Sequence, residues 1–229
     1  MTVGNKITVT NPMNYCVQES PSVKRRCYAF VKRAFDIVAS AAALIILSPI
    51  MLIAAILVYV DDPGKVFYGH VRIGKNGKPF KMWKFRSMYM NADKMIGLLT
   101  PEQAKQYYTE FKIDNDPRIT KIGNFLRKTS LDELPQLFNV LCNDMSLVGP
   151  RPLIESEIQT YYEDTHDVLL AVKPGVTGYW QAYARNNATY QSGERQKMEM
   201  YYVQNASLWL DIKILFKTVE SVLSKQGAK

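Results

Sequence analysis

The sequence contains little of what disulfide-stabilised or zinc-binding proteins require. It has three cysteines, scattered at Cys16, Cys27 and Cys142, and only two histidines, His70 and His166. This number and spacing exclude a disulfide framework and a His-rich zinc centre, and they indicate a reduced, cytosol-facing location. The sequence also has no internal repeat and no low-complexity segment. Ordinary composition, with 47% hydrophobic and 22% charged residues, excludes the fibrous and largely disordered classes.

Acidic residues are fewer than basic ones, and the formal net charge is +8. A basic excess indicates anionic partners such as nucleic acid, anionic lipid or phosphorylated substrates. Much of the positive charge brackets an apolar segment, where anionic lipid explains it better than nucleic acid does. We therefore predict that nucleic acid is not a partner.

Charge is absent altogether from Ile37 to Val60, a run long enough to cross a bilayer as a helix. Pro49 follows Ser48 halfway along this run, and proline is expected to bend a helix there. Basic residues flank the run on both sides, which favours a cytoplasmic location for both ends. These features fit a re-entrant hairpin that dips into one leaflet. A kinked single-pass anchor and a buried soluble helix are the alternatives.

The apolar run divides the chain into three regions. Residues 1–23 form a flexible polar tail, residues 24–60 comprise the basic flank and the membrane helix, and residues 61–229 form a cytosol-facing domain with interfacial amphipathic helices. In that domain, Asn76-Gly77 lies between β-prone runs at Val66–Ile73 and Phe80–Met88, a pattern that predicts a β-hairpin.

Helical periodicity predicts further helices in the same domain: Pro101–Phe111, Leu131–Leu141, Leu153–Tyr162, Gln191–Tyr202 and Leu208–Leu223. The apolar face of the last helix is expected to pack in the core, although Trp209 and Phe216 would also suit a membrane interface. The predicted fold class is therefore α+β, mostly helical with a small β-hairpin, anchored by a re-entrant helix-break-helix hairpin.

Two acids and two arginines lie close together in the sequence. Asp132 and Glu133 are adjacent carboxylates at a helix start, Arg127 lies upstream, and Arg151 follows a Gly-Pro turn. Carboxylates bind Mg²⁺ together with substrate phosphates, and a carboxylate can act as a nucleophile. Arginine binds phosphate in a bidentate manner. These residues fit phosphoryl transfer to a lipid, and the structural alternative is a capping box between Ser130 and Glu133.

Longer motifs occur in order along the chain: Lys32-Arg33-Ala34-Phe35-Asp36, Ser48-Pro49, Lys84-Phe85-Arg86-Ser87-Met88, Ser130-Leu131-Asp132-Glu133-Leu134-Pro135-Gln136, Asp144-Met145-Ser146-Leu147-Val148-Gly149-Pro150-Arg151-Pro152 and Lys173-Pro174-Gly175-Val176-Thr177-Gly178. With these motifs, residues 32–224 resemble the small monotopic phosphoglycosyl transferases, also called bacterial sugar transferases. Many ordered matches over one chain are more specific than any single motif.

The resemblance implies a role for each matching position. Asp132 corresponds to a nucleophile that takes the sugar-phosphate from a UDP-sugar, and it is expected to lie near Mg²⁺. Glu133 completes the dyad, and Arg127 and Arg151 correspond to phosphate-binding positions. Arg185 corresponds to a position near the nucleotide-sugar pocket, and its alternative interpretation is a solvated loop arginine.

The resemblance also implies a location and partners. Ser48 and Pro49 correspond to the break of a re-entrant helix, and Lys32 and Arg33 correspond to membrane-edge positions that contact lipid headgroups. The expected acceptor is polyprenyl (undecaprenyl) phosphate in the bacterial cytoplasmic (inner) membrane, in a reaction that initiates surface polysaccharide or glycoconjugate synthesis, with downstream glycosyltransferases as possible partners. The sugar stays open. A non-catalytic membrane-anchored scaffold, with the dyad serving only as a cap, is the competing hypothesis.

Overall fold

The structure, a computed structural model, describes residues 23–104, 113, 115–184 and 188–223. The helices are α1 (Val23–Asp61), α2 (Lys121–Thr129), α3 (Gln136–Leu141), α4 (Glu155–Tyr161), α5 (His166–Leu169), α6 (Tyr179–Tyr183), α7 (Glu194–Asn205) and α8 (Leu208–Leu223). The strands are β1 (Phe67–Ile73), β2 (Pro79–Phe85), β3 (Ser146–Val148) and β4 (Gly175–Thr177). Mostly helical structure with a small hairpin is confirmed. Of the predicted tail over residues 1–23, residues 1–22 lie outside the described residues, and Val23 begins α1.

The predicted hairpin is confirmed. β1 and β2 are antiparallel, with Phe67 opposite Phe85 and Ile73 opposite Pro79. The turn between them contains Asn76 and Gly77, both with positive φ, the conformation for which Asn-Gly is favoured. β2 ends at Phe85, earlier than the predicted Met88.

The apolar run forms part of one long helix, α1, with Pro49 inside it. The predicted break into two helices is therefore not confirmed. Because proline has no N–H, Pro49 leaves the carbonyl of Ile45 without its usual helical donor. The Ser48 hydroxyl donates to that same carbonyl at 2.8 Å, so the proline leaves no backbone acceptor without a donor in an apolar setting.

The domain holds both ends of α1. Near the N-terminal end, Arg33 donates to the carbonyls of Val140 and Leu141 at 2.6 and 3.0 Å. Near the C-terminal end, Asp61 accepts from the Ile122 N–H at 3.0 Å, and Asp62 pairs with Arg86. The middle of α1 is exposed instead.

The sequence did not reveal two features of the domain. β3 and β4 form a parallel pair, and strands of three residues are too short to show an alternating pattern. The predicted helix Leu131–Leu141 is wrong as one element, since a 3₁₀ turn at Leu131–Glu133 precedes α3. Pro135 lies between them as the residue before α3, because proline fits a helix start better than a helix interior.

The last helix buries a different face from the predicted one. Asp211 and Ile214 are buried on α8, and the Thr218 hydroxyl lies 2.8 Å from that of Thr177 on β4. The apolar residues along the other side are exposed, and we call them the α8 apolar stripe: Leu208, Trp209, Ile212, Phe216 and Val219. A buried aspartate is tolerated there because it accepts from Lys32 at 2.8 Å and from Tyr202 at 2.7 Å.

Candidate active site

The predicted dyad lies in the short turn between α2 and α3. Ser130 ends α2 in the left-handed conformation, with φ 58°. Asp132 and Glu133 follow in the 3₁₀ turn, where the Ser130 side chain makes no capping hydrogen bond. The Glu133 carboxylate instead accepts from Lys84 of β2 at 2.6 Å. The capping-box alternative is therefore wrong for this turn, and the dyad side chains face a basic strand.

α3 holds β2 beside this turn. Asn139 of α3 is buried; it accepts from the Trp83 N–H at 2.9 Å and donates to the Lys81 carbonyl at 2.7 Å. A buried amide that makes both bonds fixes the position of the strand. Lys84, on the same strand, is consequently held within reach of Glu133.

Arg127 approaches the dyad from the end of α2. Its Nε donates to the Ser87 hydroxyl at 2.8 Å, and the Ser87 carbonyl accepts from the Thr120 N–H at 3.1 Å. Thr120 caps α2 by accepting from the Gly123 N–H at 2.9 Å, the usual role of threonine at that position. The segment after β2 and the start of α2 thus position this guanidinium together.

Asp132 is only 7% exposed, and burial raises its pKa to about 6. The charge of Lys84 acts in the opposite direction, Glu133 adds to the increase, and Arg127 opposes it. A carboxylate with this pKa is largely ionised at neutral pH, yet it is poorly hydrated. Such a group is well suited to act as a nucleophile towards an anionic substrate that the neighbouring cations attract.

Lys84→Met is expected to raise the pKa of Asp132 further, because it removes the positive charge that lowers this pKa most. Titration of the Asp132 carboxyl by ¹³C NMR in detergent measures the change. Lys84→Arg keeps the charge and should leave the pKa of Asp132 close to its original value. An unchanged pKa in Lys84→Met would contradict the assigned electrostatic role of this lysine.

The dyad also supplies carboxylate oxygens, which are the ligands that Mg²⁺ prefers. Within the described ranges, no three His, Cys, Asp or Glu side chains come together as a metal site. Mg²⁺, however, binds through one or two carboxylates and takes its other ligands from water and substrate phosphates. Asp132 and Glu133 therefore fit a metal ion that is held jointly with a diphosphate, and not a metal cage built by the protein alone.

The other predicted site residues lie elsewhere or outside the described residues. Arg151 lies after β3, and its backbone N–H donates to the buried Glu199 of α7 at 3.0 Å. Arg185 lies outside the described residues. Lys32 pairs with Asp211 at 2.8 Å and Arg33 binds the two carbonyls described above, so both bases have partners within the protein. Contact with lipid headgroups stays a prediction for them.

Sequence analysis missed three functional candidates. Lys84 lies within one of the quoted motifs but received no role, because only folding brings it to Glu133. Arg195 on α7 is buried, the side chain of Arg72 on β1 is 11% exposed, and neither residue belongs to a quoted motif. Alternation along β1 places Arg72 on the same face as His70, a pattern that could have identified it.

The fold and site define a protein with a long apolar helix and a buried carboxylate set among cations, an arrangement suited to phosphorylated substrates. The chain belongs to the bacterial sugar transferase family, whose model matches residues 27–225.

Three relatives illustrate the range of the family. The chain is 48% identical to an undecaprenyl-phosphate galactose phosphotransferase of Salmonella typhimurium, over 90% of the chain and 43% of that protein. It is 40% identical to the exopolysaccharide production protein ExoY of Rhizobium meliloti, over 93% of the chain and 95% of that protein. It is 42% identical to a UDP-glucose:undecaprenyl-phosphate glucose-1-phosphate transferase of Escherichia coli, over 82% of the chain and 39% of that protein. The chain thus spans less than half the length of the first and third relatives.

Proposed function

We propose that this chain transfers a sugar-1-phosphate from a UDP-sugar to polyprenyl (undecaprenyl) phosphate, the first step in the synthesis of a bacterial surface polysaccharide or glycoconjugate. The observation that carries the proposal is the buried Asp132 carboxylate, with its pKa near 6, beside the Lys84–Glu133 pair. The names of two relatives include undecaprenyl phosphate as the acceptor and a sugar phosphate as the transferred group. These names support the same chemistry for this chain.

The proposed reaction has two steps. An Asp132 carboxylate oxygen attacks the β-phosphorus of the UDP-sugar, the bond to the bridging oxygen breaks, and UMP leaves with that oxygen. An oxygen of polyprenyl phosphate then attacks the same phosphorus, the bond to Asp132 breaks, and the carboxylate is restored. Polyprenyl diphosphate-sugar is the product. Because the intermediate is covalent, the soluble donor and the lipid acceptor need not bind together.

The chain's own residues supply the electrostatics of both steps. The charges of Lys84 and Arg127 act on Asp132. Fixed cations beside the nucleophile would stabilise negative charge on the transferred phosphoryl group effectively, because they need no reorganisation. Glu133 holds Lys84 in place. Mg²⁺, held by Asp132 and Glu133 with the substrate phosphates, would add charge neutralisation to this set.

The donor and the dependence on lipid can be tested together by measuring UMP release from a panel of UDP-sugars in detergent with Mg²⁺. Without polyprenyl phosphate, we expect a burst of about one UMP per protein molecule, because the first step ends at the covalent adduct. With the lipid, release should continue. Release from no donor by folded protein, with no phosphosugar adduct on Asp132, would favour the scaffold hypothesis.

The proposed location is the cytoplasmic (inner) membrane, with α1 inserted as a re-entrant segment. By length and composition, residues 26–61 could cross a membrane; their most apolar window has a mean hydropathy of 2.8 and is 17% buried. Ile45 and Ile46, in the middle of α1, are 75% and 72% exposed, whereas both ends contact one domain. An apolar middle between two ends held on the same domain supports a segment that enters and leaves by the same face. The exposed α8 apolar stripe supports a second contact of the protein with the membrane, at the membrane–water interface.

The native cysteines provide a direct test of this topology, since Cys27 precedes the apolar run, Cys142 follows it, and both are exposed. In single-cysteine variants that lack Cys16, we expect both sites to react with a membrane-impermeant maleimide in inside-out vesicles. Neither should react in intact spheroplasts. Labelling of Cys27 from outside, with Cys142 protected, would establish a crossing helix instead. The two variants serve as controls for each other.

A further inference from the structure

The C-terminal end of α1 brings together two adjacent aspartates, and each of them holds a different segment of the domain. Asp61 accepts from the Ile122 N–H at 3.0 Å, so it binds the start of α2. Asp62 pairs with Arg86, the residue after β2, and its carboxylate also accepts from the Met90 N–H at 2.8 Å. The end of one helix therefore holds two segments that are distant from each other in the chain.

Asp61 caps α2 from outside that helix. The Thr120 hydroxyl accepts from the Gly123 N–H at 2.9 Å, and Asp61 accepts from the Ile122 N–H, one position earlier. The first N–H groups of a helix have no acceptor within it, and a carboxylate is favourable there because its charge complements the helix dipole. Two acceptors from different parts of the chain thus fix the start of α2.

Arg86 uses its donors inside the protein. Its Nε donates to the Lys65 carbonyl at 2.6 Å, and its two terminal nitrogens donate to the carboxylate and to the backbone carbonyl of Asp62. All three nitrogens have acceptors and the residue is buried, so this guanidinium is poorly placed to bind a substrate. It fixes the end of β2 to the end of α1 instead, and Ser87, the next residue, is positioned as a consequence.

The two segments meet at Arg127. This arginine belongs to α2, and its Nε donates to the hydroxyl of the buried Ser87 at 2.8 Å. A guanidinium that is held through Nε keeps its pair of terminal nitrogens, which can bind phosphate in a bidentate manner. The direction of that pair therefore depends on the position of α2 and on the position of Ser87.

The same part of α1 also supports the turn that contains the dyad. The C-terminal half of α1 forms one hydrophobic cluster with α2 and with this turn, through Met51, Ala54, Val58, Leu126, Leu131 and Leu134. Leu126 precedes Arg127 in the chain, and Leu131 precedes Asp132. The guanidinium and the nucleophile are thus both adjacent to residues that pack on α1, and contacts with α1 help to set the distance between them.

We propose that Asp61 and Asp62 are positioning residues for Arg127. This inference rests on the proposed function, in which the charge of Arg127 stabilises the transferred phosphoryl group. Asp61 fixes the helix that carries Arg127, and Asp62 fixes, through Arg86, the serine that holds its Nε. Neither aspartate needs to touch the donor or the lipid. The end of the apolar helix thereby sets the position of a cation that acts on the soluble donor.

The test is a double-mutant cycle with Arg127→Met, measured on the full chain in detergent as kcat/KM for UMP release in the presence of Mg²⁺ and polyprenyl phosphate. Asp61→Ala should lower kcat/KM by about tenfold to a hundredfold, because a small misplacement of a group at the site is costly. In the Arg127→Met background, the same substitution should lower it less than about twofold, since effects that pass through a shared residue are not additive. An aspartate with a merely structural role would cost the same factor in both backgrounds.

Three further variants complete the design. Asp61→Asn keeps an oxygen that can accept from the Ile122 N–H, so it should retain most of the activity. Asp62→Ala is combined with Arg86→Met so that no buried charge is left without a partner, and the pair should behave as Asp61→Ala does in both backgrounds. Asp93→Ala removes an exposed carboxylate that makes no capping hydrogen bond, and it should match the parent protein.

A second measurement, which needs no turnover, separates this inference from the proposed function. Hydrogen exchange of the Arg127 Nε–H, followed by ¹⁵N NMR in detergent, reports on its bond to Ser87, and Asp61→Ala should speed this exchange by at least about tenfold. Faster exchange, with no UMP release from any donor by the unsubstituted protein, would leave the positioning role intact and overturn the proposed reaction. Unchanged exchange in folded Asp61→Ala, or an equal loss of kcat/KM in both backgrounds, would overturn the positioning role.

Discussion

Asp132→Asn is expected to abolish UMP release and adduct formation while the protein still folds and enters the membrane. An amide cannot form the acyl-phosphate bond, so turnover should fall by at least about a thousandfold. The measurement is UMP release with the preferred UDP-sugar, together with intact-protein mass spectrometry for the adduct. Asp164→Asn, an exposed carboxylate on a loop, is the matched control and should keep full activity. Full activity in Asp132→Asn would overturn the proposed mechanism.

The same substitution should make the protein more stable. The pKa of Asp132 is raised to about 6 in the folded chain, so ionising this carboxylate costs more in the folded state than in the unfolded state. The cost is absent below about pH 4, grows as the pH rises to about 6, and is constant above that. Asparagine avoids it, and the expected gain at pH 8 is on the order of 1–3 kcal/mol. Thermal melts at pH 4.5 and pH 8 measure it, and a gain that does not increase with pH would contradict the assigned burial of charge.

Gly123→Ala is expected to destabilise the domain by about 3 kcal/mol or more, since the new methyl group would overlap backbone atoms. A Cβ at this position would lie 2.6 Å from the carbonyl carbon of Ser87 and 2.7 Å from its Cα. Backbone atoms cannot move aside as a flexible side chain can. Because Ser87 holds Arg127, the displacement should reduce the rate of UMP release as well. Denaturation in detergent and the UMP assay together measure both effects.

Gly97→Ala is the control for this prediction. A Cβ at Gly97 would meet nothing within 4 Å, and Gly97 lies in a 3₁₀ turn at Lys94–Leu98. The variant should therefore match the parent protein in stability and activity. Equal stability of the two variants would show that the close approach of α2 to Ser87 is not required.

Short-range patterns in the sequence were sufficient to predict some of the secondary-structure elements. Asn76-Gly77 predicted the hairpin because its positive φ angles suit few other residues. The uncharged run predicted helical structure, although the predicted break at Pro49 is not confirmed. The adjacent acids of the dyad were also recognisable, since Asp132 and Glu133 remain neighbours in any fold. Each of these predictions depended on residues that are close together in the chain.

The remaining features depended on contacts between distant segments. Helical spacing predicted one helix from Leu131 to Leu141, but Pro135 and the left-handed Ser130 divide it. The partner of Glu133 is Lys84, 49 positions away, and no local pattern specifies this pair. Apolar spacing likewise placed the wrong face of α8 in the core, because the pairing of Asp211 with Lys32 and Tyr202 decides the orientation.

The attachment of α1 at both ends has a mechanical consequence. A membrane helix joined to its domain by one flexible linker can adjust to a thicker or thinner bilayer by tilting alone. α1 cannot tilt in this way, because Arg33 and Asp61 hold its two ends to the same body. Any tilt of the helix rotates the domain with it. In the proposed location, the height of Asp132 above the acyl chains is therefore set by how deeply α1 sits, and a change in lipid thickness would act directly on the distance between the carboxylate and the phosphate of its acceptor.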